Sequence, residues 1–268
     1  MITSAANEKI KAIVKLRQHK ERQKSGLFYI EGIRIVVEAV QQAADIEMLV
    51  TAPGLLTSPV AQPVVEQQRA RGVTVLETSN EVFERLALKE NPQGLAAVVR
   101  QRWTRLEEIA PQPGADWVAL DAVQDPGNLG TILRTSDAVG AAGVILLDQS
   151  TDPYDPTALR ASMGAIFTQR IVKTSLTVFA AWKKASGLPL IGTSGASQQD
   201  YHQSRYPNPM VLLMGSERQG LLPPHLQLCD QVVRIPMQGR SDSLNLAVAT
   251  AVMLYEIYNQ RRDRPVGG

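Results

Sequence analysis

Apolar positions fall into two regimes along the chain, and the change between them predicts where one domain ends and the next begins. In the first regime short strands alternate with amphipathic helices. Ile10, Ile13, Val14 and Arg17 stand at helical spacing and predict a helix within 7–24; residues 28–32 read as a short strand entering a turn, and a helix follows through Val40. Strands are expected at 46–51, 73–77 and 95–100, with helices at 61–71 and from Ser79, a residue suited to cap its helix. Periodicity is lost between Arg100 and Asp116, where Pro111, Pro113 and Gly114 mark a linker. From Trp117 onward the strands are apolar nearly throughout, at 117–123, 143–148, 169–174, 188–194, 210–216 and 231–236, as in a parallel sheet covered on both faces. A last helix is expected over 243–262, capped by Ser243 and apolar at Leu244, Ala247, Val248, Ala251, Val252, Leu254 and Tyr255. The fold class is therefore α/β: a small α/β domain over 1–104, a linker over 105–115 and a larger parallel-sheet α/β domain over 116–268.

Composition agrees with two cores, since 268 residues at 44% hydrophobic content can fill both. The formal net charge of +2 does not call for a polyanionic partner, but its distribution does. Lys9, Lys11, Lys15, Arg17, Lys20, Arg22 and Lys24 face a single acid, Glu21, in the same stretch, and Arg261, Arg262 and Arg264 crowd the other end. Both runs suit phosphate, although a solvated basic helix face has the same composition. The single cysteine, Cys229, excludes a disulfide framework and a cysteine zinc site, as expected of a reducing compartment. No stretch approaches ~20 uninterrupted apolar residues and the N-terminus has no signal-peptide core, so a cytoplasmic protein without membrane contact is expected. His19, His202 and His225 are scattered, with no metal-ligand spacing, and no metal is expected.

Three segments carry candidate chemistry. After the strand at Trp117, residues 124–141 hold Pro126, Gly127 and Gly130, which force a turn into a helix carrying Asn128 and Arg134. An amide and a guanidinium on one face of that junction would suit an anion, and an ordinary strand-to-helix turn with a surface arginine would look the same. In 210–224 an apolar strand breaks at Gly215, which permits close backbone approach to a ligand, and a helix is expected to restart near Glu217 with Gly220 inside it. Neither a P-loop nor a dinucleotide fingerprint is present. In 234–256, Pro236 and Gly239 end a strand, and Ser243 and Asn245 stand at the start of the last helix.

In this order the three segments resemble the SpoU (TrmH-like) family of RNA 2′-O-ribose methyltransferases, of the SPOUT class. The likeness rests on Asn128-x-Gly130-x-x-x-Arg134, on Gly215-x-Glu217-x-x-Gly220, and on Ile235-Pro236-Met237-x-Gly239 followed by Ser243-Leu244-Asn245 and Val248-Ala249, and it spans 117–260. A shorter match to the family's RNA-binding domain runs through Phe28, Glu31-Gly32 and Asn91-Pro92-Gln93-Gly94. Ser136 and Leu246 depart from the Ala and Val of the pattern without removing a polar group.

The resemblance implies a deep trefoil knot in the C-terminal domain, S-adenosylmethionine as cofactor, RNA as partner, and a homodimer whose active site draws on both subunits. It assigns Asn128, Arg134, Glu217, Ser243 and Asn245 to catalysis and Thr193, Gly195, Leu213, Met214, Gly215, Ile235, Met237, Ser243 and Leu244 to the cofactor. A guanidinium stays protonated, so Arg134 is read as gripping a phosphate and stabilising the forming alkoxide, with Glu217 either orienting it or moving protons. With an RNA substrate, Lys9 through Lys24 and Arg134 become RNA-binding candidates, and removal of 1–24 is expected to weaken RNA binding. The expected substrate is ribosomal RNA of the 23S type; transfer RNA, methylation of a base, and a non-catalytic assembly factor stay open as alternatives. A serine hydrolase is disfavoured, since no G-x-S-x-G elbow is present.

Overall fold

The computed structural model describes residues 1–262, which fold as two units. The first takes in Met1–Arg102 together with Tyr154–Leu159. Its helix α1 (Glu8–Lys15) is capped by the Asn7 side chain, which accepts from the Lys9 N–H, and α2 (His19–Ser25) follows after a break. The 7–24 stretch is thus two helices, because Arg22 turns inward and its guanidinium donates to the carbonyls of Leu16 and Arg17, closing the end of α1. The remaining elements are β1 (Leu27–Glu31), α3 (Ile33–Gln41), β2 (Ile46–Thr51), α4 (Ala61–Ala70), β3 (Thr74–Glu77), α5 (Asn80–Leu86) and β4 (Leu95–Arg100). The strands form a sheet in the order β1-β4-β2-β3, with β4 antiparallel to both neighbours and β2 parallel to β3. Ile10, Ile13, Leu16, Tyr29, Val50, Phe83, Leu86 and Val98 make a core on one face of this sheet. Tyr154 and Asp155 belong to the same unit: the Tyr154 ring stacks on buried Phe28 at 4.6 Å between centroids, and Asp155 lies 3.4 Å from the Arg22 guanidinium.

The second unit is built on six parallel strands, β5 (Trp117–Asp121), β6 (Gly143–Leu147), β7 (Arg170–Thr174), β8 (Leu190–Thr193), β9 (Val211–Met214) and β10 (Gln231–Val233), in the order β10-β8-β9-β5-β6-β7. All five pairings are parallel, and the strands are apolar because helices cover both faces. Those helices are α6 (Pro126–Ala138), α8 (Leu176–Ser186), α9 (Pro223–Leu228) and α10 (Leu246–Arg262), of which α10 packs on α6, while α7 (Pro156–Ser162) begins in the segment that belongs to the first unit. Trp117, Ile145, Phe179, Leu190 and Leu213 lie in the core. Leu106 and Ile109 are buried in it too, so the stretch read as a linker is partly anchored. The chain runs outward from β5 through β6 to β7, then crosses to β8, steps inward to β9 and out to β10. Strands β5 and β9 are therefore neighbours whose following connections leave in opposite directions, the crevice where open parallel sheets bind ligands.

Several boundaries differ from the sequence expectation, and three of them bear on the site. The strand expected over 231–236 ends at Val233. No helix restarts at Glu217; residues 216–220 form a tight turn closed by a Ser216–Gly220 bridge, and α9 begins only at Pro223. The last helix begins at Leu246, and its cap is Asn245, whose side-chain oxygen accepts from the N–H groups of Ala247 and Val248, while the Ser243 hydroxyl donates to Asp242.

Candidate active site

The loops leaving β5 and β9 meet at the crevice between those strands. Asp125 caps α6, accepting from the Asn128 N–H at 2.8 Å, with Pro126 as the first helical residue, where a missing N–H costs nothing. This fixes Asn128 in the first turn. Across the crevice, the turn after β9 presents Glu217, whose carboxylate accepts from the backbone N–H groups of Gln124 (3.1 Å) and Asp125 (3.2 Å) and from Asn128 Nδ2 (3.1 Å). The Asn128 Oδ1 in turn accepts from Asn245 Nδ2 at 3.0 Å. One chain of hydrogen bonds, Asn245 to Asn128 to Glu217, thus ties together residues from all three segments. Burial pushes the Glu217 carboxyl up, but the bonds from Asn128, Gln124 and Asp125 outweigh it and hold the group below the ordinary carboxylate range.

Gly215 is required by the turn itself. A Cβ at this position would run into the backbone of Gly220 and Leu221, which the turn folds back against it. Within the one chain Glu217 makes no bond to Arg134 among the described residues; its carboxylate accepts from the opposite loop. Arg134 lies six positions beyond Asn128 on α6, one and two-thirds turns at about 3.6 residues per turn, so the two leave different sides of the helix. It is exposed and makes no hydrogen bond or ion pair among the described residues.

Of the residues expected at the cofactor, Thr193, Leu213 and Met214 stand at the C-terminal ends of β8 and β9, Gly195 and Gly215 follow just beyond them, and Ile235, Met237, Ser243 and Leu244 lie on the segment between β10 and α10. Thr193 ends β8, with its hydroxyl 3.5 Å from the Met214 sulfur at the end of β9. Leu213 and Met214 are fully buried and can offer a ligand only their backbone. Gly195 is exposed, Ile235 half-buried, and Met237 and Leu244 are large apolar side chains left in part to solvent. Between Ile235 and Leu244 no backbone N–H or C=O is hydrogen-bonded within the described residues, so the segment presents free donors and acceptors beside apolar side chains.

Of the basic N-terminal residues, Lys9, Lys11, Lys15, Lys20 and Lys24 are exposed. Arg22 is not available to phosphate, being 1% exposed and committed to the end of α1. Arg17 donates to the carbonyls of Arg85, Leu86 and Ala87, capping α5. At the other terminus Arg261 pairs with buried Asp116 and Arg262 lies over the Tyr258 ring, while Arg264 falls outside the described residues. Sequence reasoning missed Asp125 and Gln124, although an Asp-Pro pair opening a helix is a capping signal. It also missed Ala122, held at φ 47° just after β5, where nothing in the residue type announces a left-handed conformation.

The all-parallel sheet, with its polar cluster at the topological switch point and a C-terminal helix returning to α6, is shared with a solved rRNA methyltransferase and places the chain among the α/β methyltransferases of the SPOUT class. The chain belongs to the SpoU rRNA methylase family, whose model matches residues 117–255, and an MRM3-like substrate-binding domain matches residues 7–97. It is 32% identical over 258 residues, 96% of this chain and 98% of the relative, to the 23S rRNA (guanosine(2553)-2′-O)-methyltransferase RlmP of Bacillus subtilis. It is 30% identical over 252 residues, 92% of this chain and 87% of the relative, to the 23S rRNA (uridine(2479)-2′-O)-methyltransferase of Streptomyces viridochromogenes. The crystal structure of an AdoMet-bound rRNA methyltransferase from Sinorhizobium meliloti superposes with a TM-score of 0.90 at 39% identity, covering 98% of each chain.

Proposed function

We propose that this chain transfers the methyl group of S-adenosylmethionine to a ribose 2′-hydroxyl of 23S-type ribosomal RNA, in the cytoplasm and as a homodimer. The observation that carries the reading is the bond chain from Asn245 through Asn128 to Glu217, which draws the three segments of the family pattern into one crevice. The residues at the adjoining edge fit the cofactor: apolar Ile235, Met237 and Leu244 can enclose an adenine while the unpaired backbone groups of 235–244 read its edge. Thr193, Gly195, Gly215 and the backbone of Leu213 and Met214 complete that edge. When bound, the cofactor supplies an electrophilic sulfonium methyl.

The protein's own task is to hold a hydroxyl in line with that methyl and to stabilise the alkoxide as its proton leaves. Glu217, kept ionised and fully engaged, holds the two loops rather than exchanging protons. Asn128 and Asn245 each keep an amide N–H for the substrate, and Ser243 offers a hydroxyl beside them in sequence. Arg134 grips the phosphate next to the target ribose. Its departure from the far side of α6 supports an active site completed by a second subunit, and the exposed Val248, Tyr255 and Tyr258 on α10 support a dimer surface there. The return of α10 to α6 after the outermost strand β10 supports the trefoil knot. The first unit binds the RNA, with Lys9, Lys11, Lys15, Lys20 and Lys24 as its phosphate contacts.

The test is alkaline-hydrolysis mapping of total RNA from a strain lacking the gene, complemented with wild type or Arg134→Lys. Wild type restores protection at one 23S position. Arg134→Lys lowers turnover at saturating RNA by at least about tenfold, because an ammonium cannot replace a bidentate guanidinium. Protection restored only in transfer RNA would overturn the substrate, and wild-type turnover in Arg134→Lys would overturn the role of the arginine.

A further inference from the structure

Behind the crevice lies a buried acid and imidazole that none of the site's chemistry uses. Asp121, the last residue of β5, is 7% exposed, and His225, in the first turn of α9, is 5% exposed. The His225 Nδ1 accepts from the Leu222 N–H at 3.2 Å, which leaves the proton on Nε2. That Nε2 has no well-aligned hydrogen-bond partner, yet it stands 3.2 Å from Asp121 Oδ1. Burial pushes the Asp121 carboxyl above its ordinary range; the nearby imidazole lowers it, and the charge of Asp148, after the next strand, raises it further.

The position of the pair matters more than its strength. The loop carrying Gln124, Asp125 and Asn128 departs from Asp121, and the turn carrying Glu217 runs between β9 and the helix that holds His225. At their tips the two loops are joined by Glu217. At their roots, where apolar side chains of β5, β9 and α9 pack in one core, the polar side-chain link among the described residues is Asp121 to His225. We propose that Asp121 and His225 are positioning residues for methyl transfer, a brace that sets the separation of the two loop roots and so the placement of Asn128 and Glu217. The inference rests on the methyl-transfer reading of the crevice. A buried aspartate whose partner is removed is an uncompensated group, so the brace is used in one geometry or lost altogether.

Three substitutions at position 225 separate bracing from filling space. His225→Leu removes both polar contacts, His225→Asn keeps an acceptor for Leu222 but cannot reach Asp121, and His225→Gln keeps a donor towards Asp121. Well below each variant's melting temperature, His225→Leu and His225→Asn lose turnover by on the order of 10- to 100-fold, with KM for RNA and S-adenosylmethionine within about twofold of wild type. His225→Gln recovers turnover to within about threefold of wild type. Amide hydrogen exchange at Gln124 and Asp125, the two donors to Glu217, accelerates about tenfold or more in His225→Leu and returns towards wild type in His225→Gln. Wild-type turnover in His225→Asn, or unchanged exchange at both amides in His225→Leu, would overturn the brace. The exchange result is independent of catalysis: faster exchange in a chain whose wild type protects no ribose would leave the brace standing and remove the methyl-transfer reading instead.

Discussion

Glu217 illustrates what a residue's neighbours do to its chemistry. Its place in the pattern leaves it free to orient Arg134 or to move protons, and in the fold its carboxylate accepts from three donors of the opposite loop. Because those bonds lower its folded pKa, its contribution to stability is complete above the unfolded value of about 4.3 and is lost as pH falls through the depressed folded value. The stability gap between wild type and Glu217→Gln should therefore hold from pH 7 to about 5 and close below about 4. Denaturant titrations of both proteins across that range check this, and parallel pH curves would refute it. Arg22 and Arg17 show the converse. As letters they are indistinguishable from Lys9 or Lys20, yet one is buried and both cap helices, because a guanidinium's several donors suit converging carbonyls that a point-like ammonium serves less well.

Among the elements, those with strong local signals were legible and those decided by a turn were not. The apolar strands at 117–121 and 143–147 fall where expected, and Ser79 caps α5 by accepting from the Val82 N–H. The segment after β9 was misread, since nothing in its composition distinguishes a tight turn at 216–220 from a helix start. The cap of α10 went to Asn245 instead of Ser243 for a tertiary reason: from that position its amide also reaches Asn128. Helix α1 bears on the RNA-binding test as well. Ile10, Ile13 and Leu16 are core residues, so deleting 1–24 would damage the fold together with the surface. Alanine at Lys9, Lys15, Lys20 and Lys24 is the cleaner change. It should leave cofactor binding intact while reducing the slope of log K against log[salt] for RNA by about 0.7–0.9 for each lysine that contacts a phosphate. Equal slopes in mutant and wild type would remove the N-terminal helices from the interface.

At the scale of the whole molecule, the exposed Val248, Tyr255 and Tyr258 on α10 lead to a prediction about assembly. Light scattering after gel filtration should give the mass of two chains, and Tyr255→Asp, which places a charge among apolar neighbours, should give that of one. A wild-type monomer would remove the second subunit from the active site. The class of fold, the parallel character of the second sheet and the residue types that gather at its crevice could all be read along the chain, because hydrophobic period and the spacing of Gly, Pro and capping residues are local properties. The order β10-β8-β9-β5-β6-β7, the return of Tyr154–Leu159 to the first unit and the meeting of Asn245, Asn128 and Glu217 could not. Each depends on which distant segments become neighbours, and that choice is made by the packing of the whole core, which no window of sequence contains.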